Sequence, residues 1–167
     1  MKTIKLEPGE LPPGNFTGVI IWGGKDKEWY KNGVFHRDDG PAVEWANGYK
    51  EWFINGKLHR EDGPALIFPH GDEYWYKEGK QHRIDGPAMV RGDKTGHYWI
   101  IDSHIYYPHV LKRFFESCVY LGKEKGIYGL EWLKFMTDQG IKEFPIIPGM
   151  ENDDMFKPMF KKLSLNI

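Results

Sequence analysis

From Asn15 to Tyr107 the apolar residues come in short runs separated by Gly, Pro, Asn and Asp. Ala42-Val43-Glu44-Trp45 and Tyr49-Lys50-Glu51-Trp52-Phe53 are typical runs, and their length suits β-strands of about five residues. Asn32-Gly33 and Asn55-Gly56 follow aromatic, strand-favouring residues, and Asn-Gly accepts the positive φ angles of a two-residue hairpin turn. Ala46-Asn47-Gly48, His70-Gly71-Asp72 and Gly92-Asp93-Lys94 mark a second set of turns. Asp-Gly-Pro-Ala is a third break, where proline, unable to donate to a ladder, suits the start of a strand. Residues 16–107 are therefore expected to form antiparallel hairpins, preceded by a lead-in over residues 1–15.

After Tyr107 the spacing changes. Val110, Leu111, Phe114, Phe115, Cys118 and Val119 recur at helical intervals, with Pro108 suited to a first turn and Gly122 to a stop. Leu130, Leu133 and Met136 predict a second helix over Tyr128–Gln139, closed by Gly140. Pro145 and Pro148 force an extended stretch from Ile141 to Gly149, and Asp153-Asp154 open a short last helix through Leu163. The expected fold class is α+β: a hairpin sheet, then a small α-helical region over 108–167 that caps the open end of the array or meets a partner.

The hairpin segment repeats with a 23-residue period. Trp29-Tyr30-Lys31-Asn32-Gly33-Val34-Phe35-His36-Arg37-Asp38-Asp39-Gly40-Pro41-Ala42 returns as Trp52 to Ala65 and again as Trp75 to Ala88. The Trp, the turn Gly and every fixed residue of His-Arg-x-Asp-Gly-Pro-Ala are identical in the three copies. A degenerate half-copy precedes them at Trp22 and Glu28-Trp29, and another follows at Tyr98-Trp99-Ile100-Ile101-Asp102, displaced by one residue. One copy cannot bury its own apolar face, so stacked copies must supply the core. The Trp ladder is read as part of that core.

These residues resemble the MORN-type repeat, and more closely a variant with the His-Arg-x-Asp-Gly-Pro-Ala signature that is frequent in tailed-bacteriophage genomes. Asn15-Phe16-Thr17-Gly18-Val19 is similar to the usual opening of such proteins. The resemblance covers residues 15–107 and implies an elongated, twisted antiparallel sheet with an interaction role and no catalytic residues. His-Arg stands where ordinary MORN repeats have His-Gly, so the lipid roles ascribed to some of them do not carry over.

Charge adds little pull toward nucleic acid. Residues 16–107 hold 12 Lys/Arg against 14 Asp/Glu, and residues 108–167 hold 9 against 8. A nucleic-acid binder shows a basic face, and neither part is basic. Cys118 is the single cysteine, so an intrachain disulfide has no second thiol. The first residues lack the apolar run of a signal peptide, and no stretch reaches the ~18 apolar residues of a membrane span. The expectation is a soluble protein of a reducing cytoplasm, without membrane association.

His36, His59 and His82 invite a metal reading. Equivalent positions in successive copies lie two strand spacings apart, roughly 10 Å, whereas zinc needs its nitrogens at about 2 Å. A structural His-Arg ladder bonded to the Asp-Gly-Pro turns is the simpler expectation, with no cofactor. The alternative use of Arg37, Arg60 and Arg83 is a row of guanidinium groups offered to a nucleotide or another phosphorylated ligand. No Ser-His-Asp spacing, phosphate loop or His-Glu-x-x-His occurs. The expected function is a non-enzymatic protein-interaction module, of the kind a phage uses to modulate or inhibit a host or anti-phage-defence protein. Phe144, Ile146, Ile147, Met155 and Phe156, apolar and without repeat partners, are the expected contact residues. A phosphorylated-ligand sponge and a component of a larger assembly are the alternatives.

Overall fold

The computed structural model describes residues 1–93, 96–101, 103–106, 119–137, 139–152, 154 and 156–162. The chain divides into two compact units, one of Met1–His82 with Ala88–His97 and one of Arg83–Pro87 with Tyr98–Ile167.

In the first unit the lead-in is not idle. Its strand β1 (Thr3–Leu6) pairs in parallel with β2 (Gly18–Trp22), whose other edge takes β3 (Asp26–Lys31) antiparallel. The sheet continues through β5 (Val43–Glu44), β6 (Lys50–Glu51), β9 (Leu66–Ile67), β10 (Glu73–Tyr74) and β13 (Met89–Val90), every pair antiparallel. The remaining strands form hairpin ribbons about the first turn of each copy. They are β3 with β4 (Val34–Phe35), β7 (Phe53–Ile54) with β8 (Lys57–Leu58), and β11 (Tyr76–Lys77) with β12 (Lys80–Gln81).

The turn chemistry read from the sequence holds. Asn32 and Gly33 have φ of 53° and 80°, and Asn55 and Gly56 have 50° and 75°, the pair of left-handed conformations of a type I′ turn. Each turn glycine also donates its N–H to the preceding copy, Gly56 to the Phe35 carbonyl and Gly79 to that of Leu58. Glu78 takes the Asn place at φ 52°, where a residue with an ordinary Cβ is strained. Glu78→Asn is expected to stabilise the first unit by about 1 kcal/mol. An unchanged urea midpoint would show that no strain resides there.

The displacement of the last half-copy has a local cause. Trp45 N–H bonds the Tyr49 carbonyl and Phe68 N–H that of Asp72, but Arg91 N–H reaches Gly96. The third copy's second turn is thus one residue longer. The ladder absorbs the insertion. Arg37 N–H bonds the Phe53 carbonyl and Arg60 N–H that of Tyr76, whereas Arg83 N–H bonds that of Ile100, one position past the Trp99 that the period alone would supply.

The second unit corrects the helical expectation. The hairpin of β14 (His97–Ile101) and β15 (His104–Tyr106) is followed by a three-stranded antiparallel meander of β16 (Val119–Lys125), β17 (Glu131–Thr137) and β18 (Gly140–Ile146). The helix expected over Tyr128–Gln139 is therefore strand β17. Leu133 and Phe135 point to one side and are buried, while Met136 is 44% exposed, an alternation of period two. Lys134 reaches Glu124 on one neighbouring strand at 2.6 Å and Glu143 on the other at 3.3 Å. Gly122, expected to stop a helix, sits at an irregularity of β16 with φ 126°. The stretch expected to be extended is β18. The helix expected near residues 108–119 lies outside the described residues up to Val119, which opens β16. Of the last helix only α1 (Lys157–Lys162) is described. The small α-helical region is thus replaced, among the described residues, by strands, two 3-10 turns (Ile127–Gly129 and Met150–Asn152) and one short α-helix.

The core of this unit joins Trp99, Ile101, Leu133, Phe135, Ile146, Ile147, Met150, Phe156 and Phe160. Trp99 and Phe156 meet edge to face with centroids 6.1 Å apart, and Gly149 lets the chain pass close to the Trp99 ring.

Candidate functional site

The identical residues of the repeat assemble into one device per copy. Arg37 lies over the Trp29 ring at 4.1 Å, and Arg60 over Trp52 at 4.2 Å. Arg37 Nε donates to Asp39 Oδ1 at 2.7 Å and its Nη1 to the Pro41 carbonyl at 3.2 Å. Arg60 makes the same bonds to Asp62 and Pro64 at 2.8 and 3.3 Å, and Arg83 to Asp85 and Pro87 at 2.7 and 3.2 Å. The glycine between Asp and Pro makes room for this. A Cβ on Gly40, Gly63 or Gly86 would stand 2.9, 2.8 or 2.8 Å from the guanidinium carbon. The Arg hydrogen bond holds the Asp39 and Asp62 carboxyls below the usual carboxylate range.

The histidines link consecutive copies. The N–H of Asn55 donates to His36 Nδ1 at 3.0 Å, and the N–H of Glu78 to His59 Nδ1 at 3.2 Å. An acceptor Nδ1 carries no proton, so the proton sits on Nε2, which faces Asp38 Oδ2 at 3.3 Å and Glu61 Oε1 at 3.2 Å. Both ring nitrogens of His36 and His59 are engaged within the protein.

The Trp ladder departs from its expected place in the core. Trp29, Trp52 and Trp75 are half-buried, and only Trp99 is fully buried. Fully buried in all three copies are instead the alanines Ala42, Ala65 and Ala88. Ala42 and Ala65 carbonyls accept from the N–H of Trp29 and Trp52, and at 0% exposure the two methyl groups leave no room for a larger side chain. Trp52→Ala is expected to cost about 2 kcal/mol, below the ~3–5 kcal/mol of a fully buried aromatic. Denaturant unfolding checks this, and a midpoint equal to that of the parent protein would remove the Arg–Trp stack from the stabilising set.

On the sheet, Glu28 accepts from Trp22 Nε1 at 2.7 Å and from the Tyr30 hydroxyl at 2.9 Å, and Glu51 accepts from the Tyr49 hydroxyl at 2.7 Å. Burial, reinforced by these carboxylates, raises the Tyr30 and Tyr49 phenols above their ordinary range. Burial also raises Glu51, while the Tyr49 hydrogen bond opposes the shift.

Between the Asp-Gly-Pro turn of the first copy and the His-Arg turn of the second runs a groove of about 650 Å³. Trp52 and Ile54 contribute apolar surface to it, and Asp38, Asp39, Glu61 and Asp62 contribute carboxylates. Those four side chains are 81%, 84%, 68% and 83% exposed. Arg37 and Arg60, singled out for phosphate, line the same groove, but each has its Nε and Nη1 committed to its own turn. Arg83 makes the same internal bonds. Sequence reasoning passed over the carboxylates. Their signal was the variable position of His-Arg-x-Asp, which reads Asp38, Glu61 and Ile84.

The expected apolar contact residues are not a surface cluster. Ile146, Ile147 and Phe156 are 6%, 0% and 1% exposed and belong to the core of the second unit, with Phe144 packed against it. Met155 lies outside the described residues. No described helix is long and apolar enough to cross a membrane.

The fold and this repeated device define the class: an antiparallel β-hairpin repeat protein. Beyond that class, no protein-family model matches the chain, and neither a curated protein nor a solved structure does.

Proposed function

We propose that the protein is a non-enzymatic interaction module that binds a protein partner through its repeat array. The observation that carries this is the inward use of its reactive side chains. Arg37 and Arg60 are stacked on Trp rings and bonded to their own turns, and His36 and His59 bridge to the next copy. What the copies turn toward solvent is a ridged groove edged with carboxylates. A regular surface of this kind suits recognition of another chain better than turnover, which needs one asymmetric set of groups. The same commitment of the guanidinium groups weighs against a sponge for phosphorylated ligands. Resemblance of the signature to phage-encoded repeats supports an accessory role, modulating or inhibiting a host or defence protein in the bacterial cytoplasm. A role as a component of a larger assembly would require a self-contact, which light scattering of the purified chain reads directly.

The test is affinity capture with the tagged full chain from bacterial lysate, followed by reconstitution with the purified candidate. A partner that binds in a fixed ratio supports the module. A phosphorylated small molecule that copurifies, with no protein bound, overturns it.

A further inference from the structure

We infer that the groove between the first and second copies takes an extended, lysine- or arginine-bearing segment of a protein partner. This deepens the interaction reading and rests on it. Two features of the groove favour such an occupant. The first is its mixed surface: Trp52 and Ile54 offer apolar contact for the methylene stem of a basic side chain, while Asp38, Asp39, Glu61 and Asp62 stand at its walls. Against these four carboxylates the groove sets only Arg37 and Arg60, already bonded to Asp39 and Asp62. Asp38 and Glu61 thus remain as negative charge facing histidines whose Nδ1 atoms accept hydrogen bonds. Lys77 Nζ also donates to Glu61 Oε2 at 3.4 Å, but both side chains are exposed, where such pairs are weak.

The second feature is a difference between copies. The position of Asp38 and Glu61 is Ile84 in the third copy, which keeps the same Arg83–Asp85 and Arg83–Pro87 bonds. The Arg bonds of the device therefore form without a carboxylate at this position. Asp38 and Glu61, which accept from His36 and His59, are not needed by the Arg bonds and, at 81% and 68% exposed, still present negative charge to a partner. A basic strand is matched by charge; a phosphate would meet carboxylates on both walls.

The probe is a nine-residue peptide of alternating lysine and valine, with a glutamate–valine peptide and inorganic pyrophosphate as comparisons. Binding to the full chain is followed by the Trp52 indole signal in nitrogen-correlated NMR. The lysine peptide is expected to shift that signal, to weaken with added salt, and to bind roughly fivefold less tightly to D38N/E61Q, as the loss of two partly exposed charges implies. Glu61→Ile, which copies the third repeat, should fold and show part of the same loss. Equal affinity for the parent and D38N/E61Q overturns the inference, as does absence of the Trp52 shift. Pyrophosphate binding more tightly than the lysine peptide overturns it in favour of an anion site. The two readings fail separately. If D38N/E61Q captures the same partner as the parent protein, the module stands and the groove falls. If the parent protein captures no partner, the module itself falls.

Discussion

A chain ending at Gly140 is expected to lose the folded state of the second unit. Strand β18 pairs with β17 along its whole length, from Thr137↔Gly140 to Glu131↔Ile146. Its removal exposes one edge of the meander's central strand. It also takes away Ile146, Ile147, Met150, Phe156 and Phe160, each at most 6% exposed. Burial of one such side chain contributes about 1.5–3 kcal/mol, and a domain's whole margin is only ~5–15 kcal/mol. Losing all five removes half of the buried cluster that holds Leu133 and Phe135 out of water. Amide exchange in the truncated chain should show Leu133 and Phe135 unprotected. Protection equal to that of the full chain would mean that residues 141–167 are a dispensable arm, the role their apolar content suggests when read alone.

Phe135→Ala is expected to cost the second unit about 3–5 kcal/mol, the range for deleting a fully buried aromatic. Phe135 is 0% exposed, and its ring lies 5.4 Å from that of Tyr120 and 6.0 Å from that of Phe144. These rings come from the two strands flanking β17, so the cavity would open at the centre of the meander. Phe135→Leu keeps most of the volume and should lose far less. Urea unfolding read at Leu133 and Phe144 separates the cases. A loss below about 1 kcal/mol for Phe135→Ala would contradict this packing.

How much was legible followed the range of the interactions involved. The Asn-Gly turns, the short strands and the 23-residue period were readable because Asn and Gly carry their own φ preference and because each copy repeats the same local chemistry. The strand at Glu131–Thr137 was not. Leu130, Leu133 and Met136 fit a helical stripe, while Leu133 and Phe135 fit an alternating strand, and spacing cannot choose between them. The burial of Ile146, Ile147 and Phe156 was hidden for the same reason: apolar residues without a repeat partner look like a surface until their partners are in place.

By itself the sequence determined the repeat and its turns, since each turn depends on neighbours a few residues away. It placed the Arg ladder against the Asp-Gly-Pro turns, and the structure showed that each Arg pairs with the Asp two residues on. Only the tertiary structure decided that Glu131–Thr137 and Gly140–Ile146 are strands, because the choice rests on the ladders of β16, β17 and β18 and on Lys134 bridging Glu124 and Glu143. It alone also decided the character of the candidate site. Stacking on Trp29 and Trp52 turns the guanidinium groups inward and leaves the carboxylates of two different copies facing one groove. That reversal depends on which residues of neighbouring copies meet, and no spacing within a single copy records it.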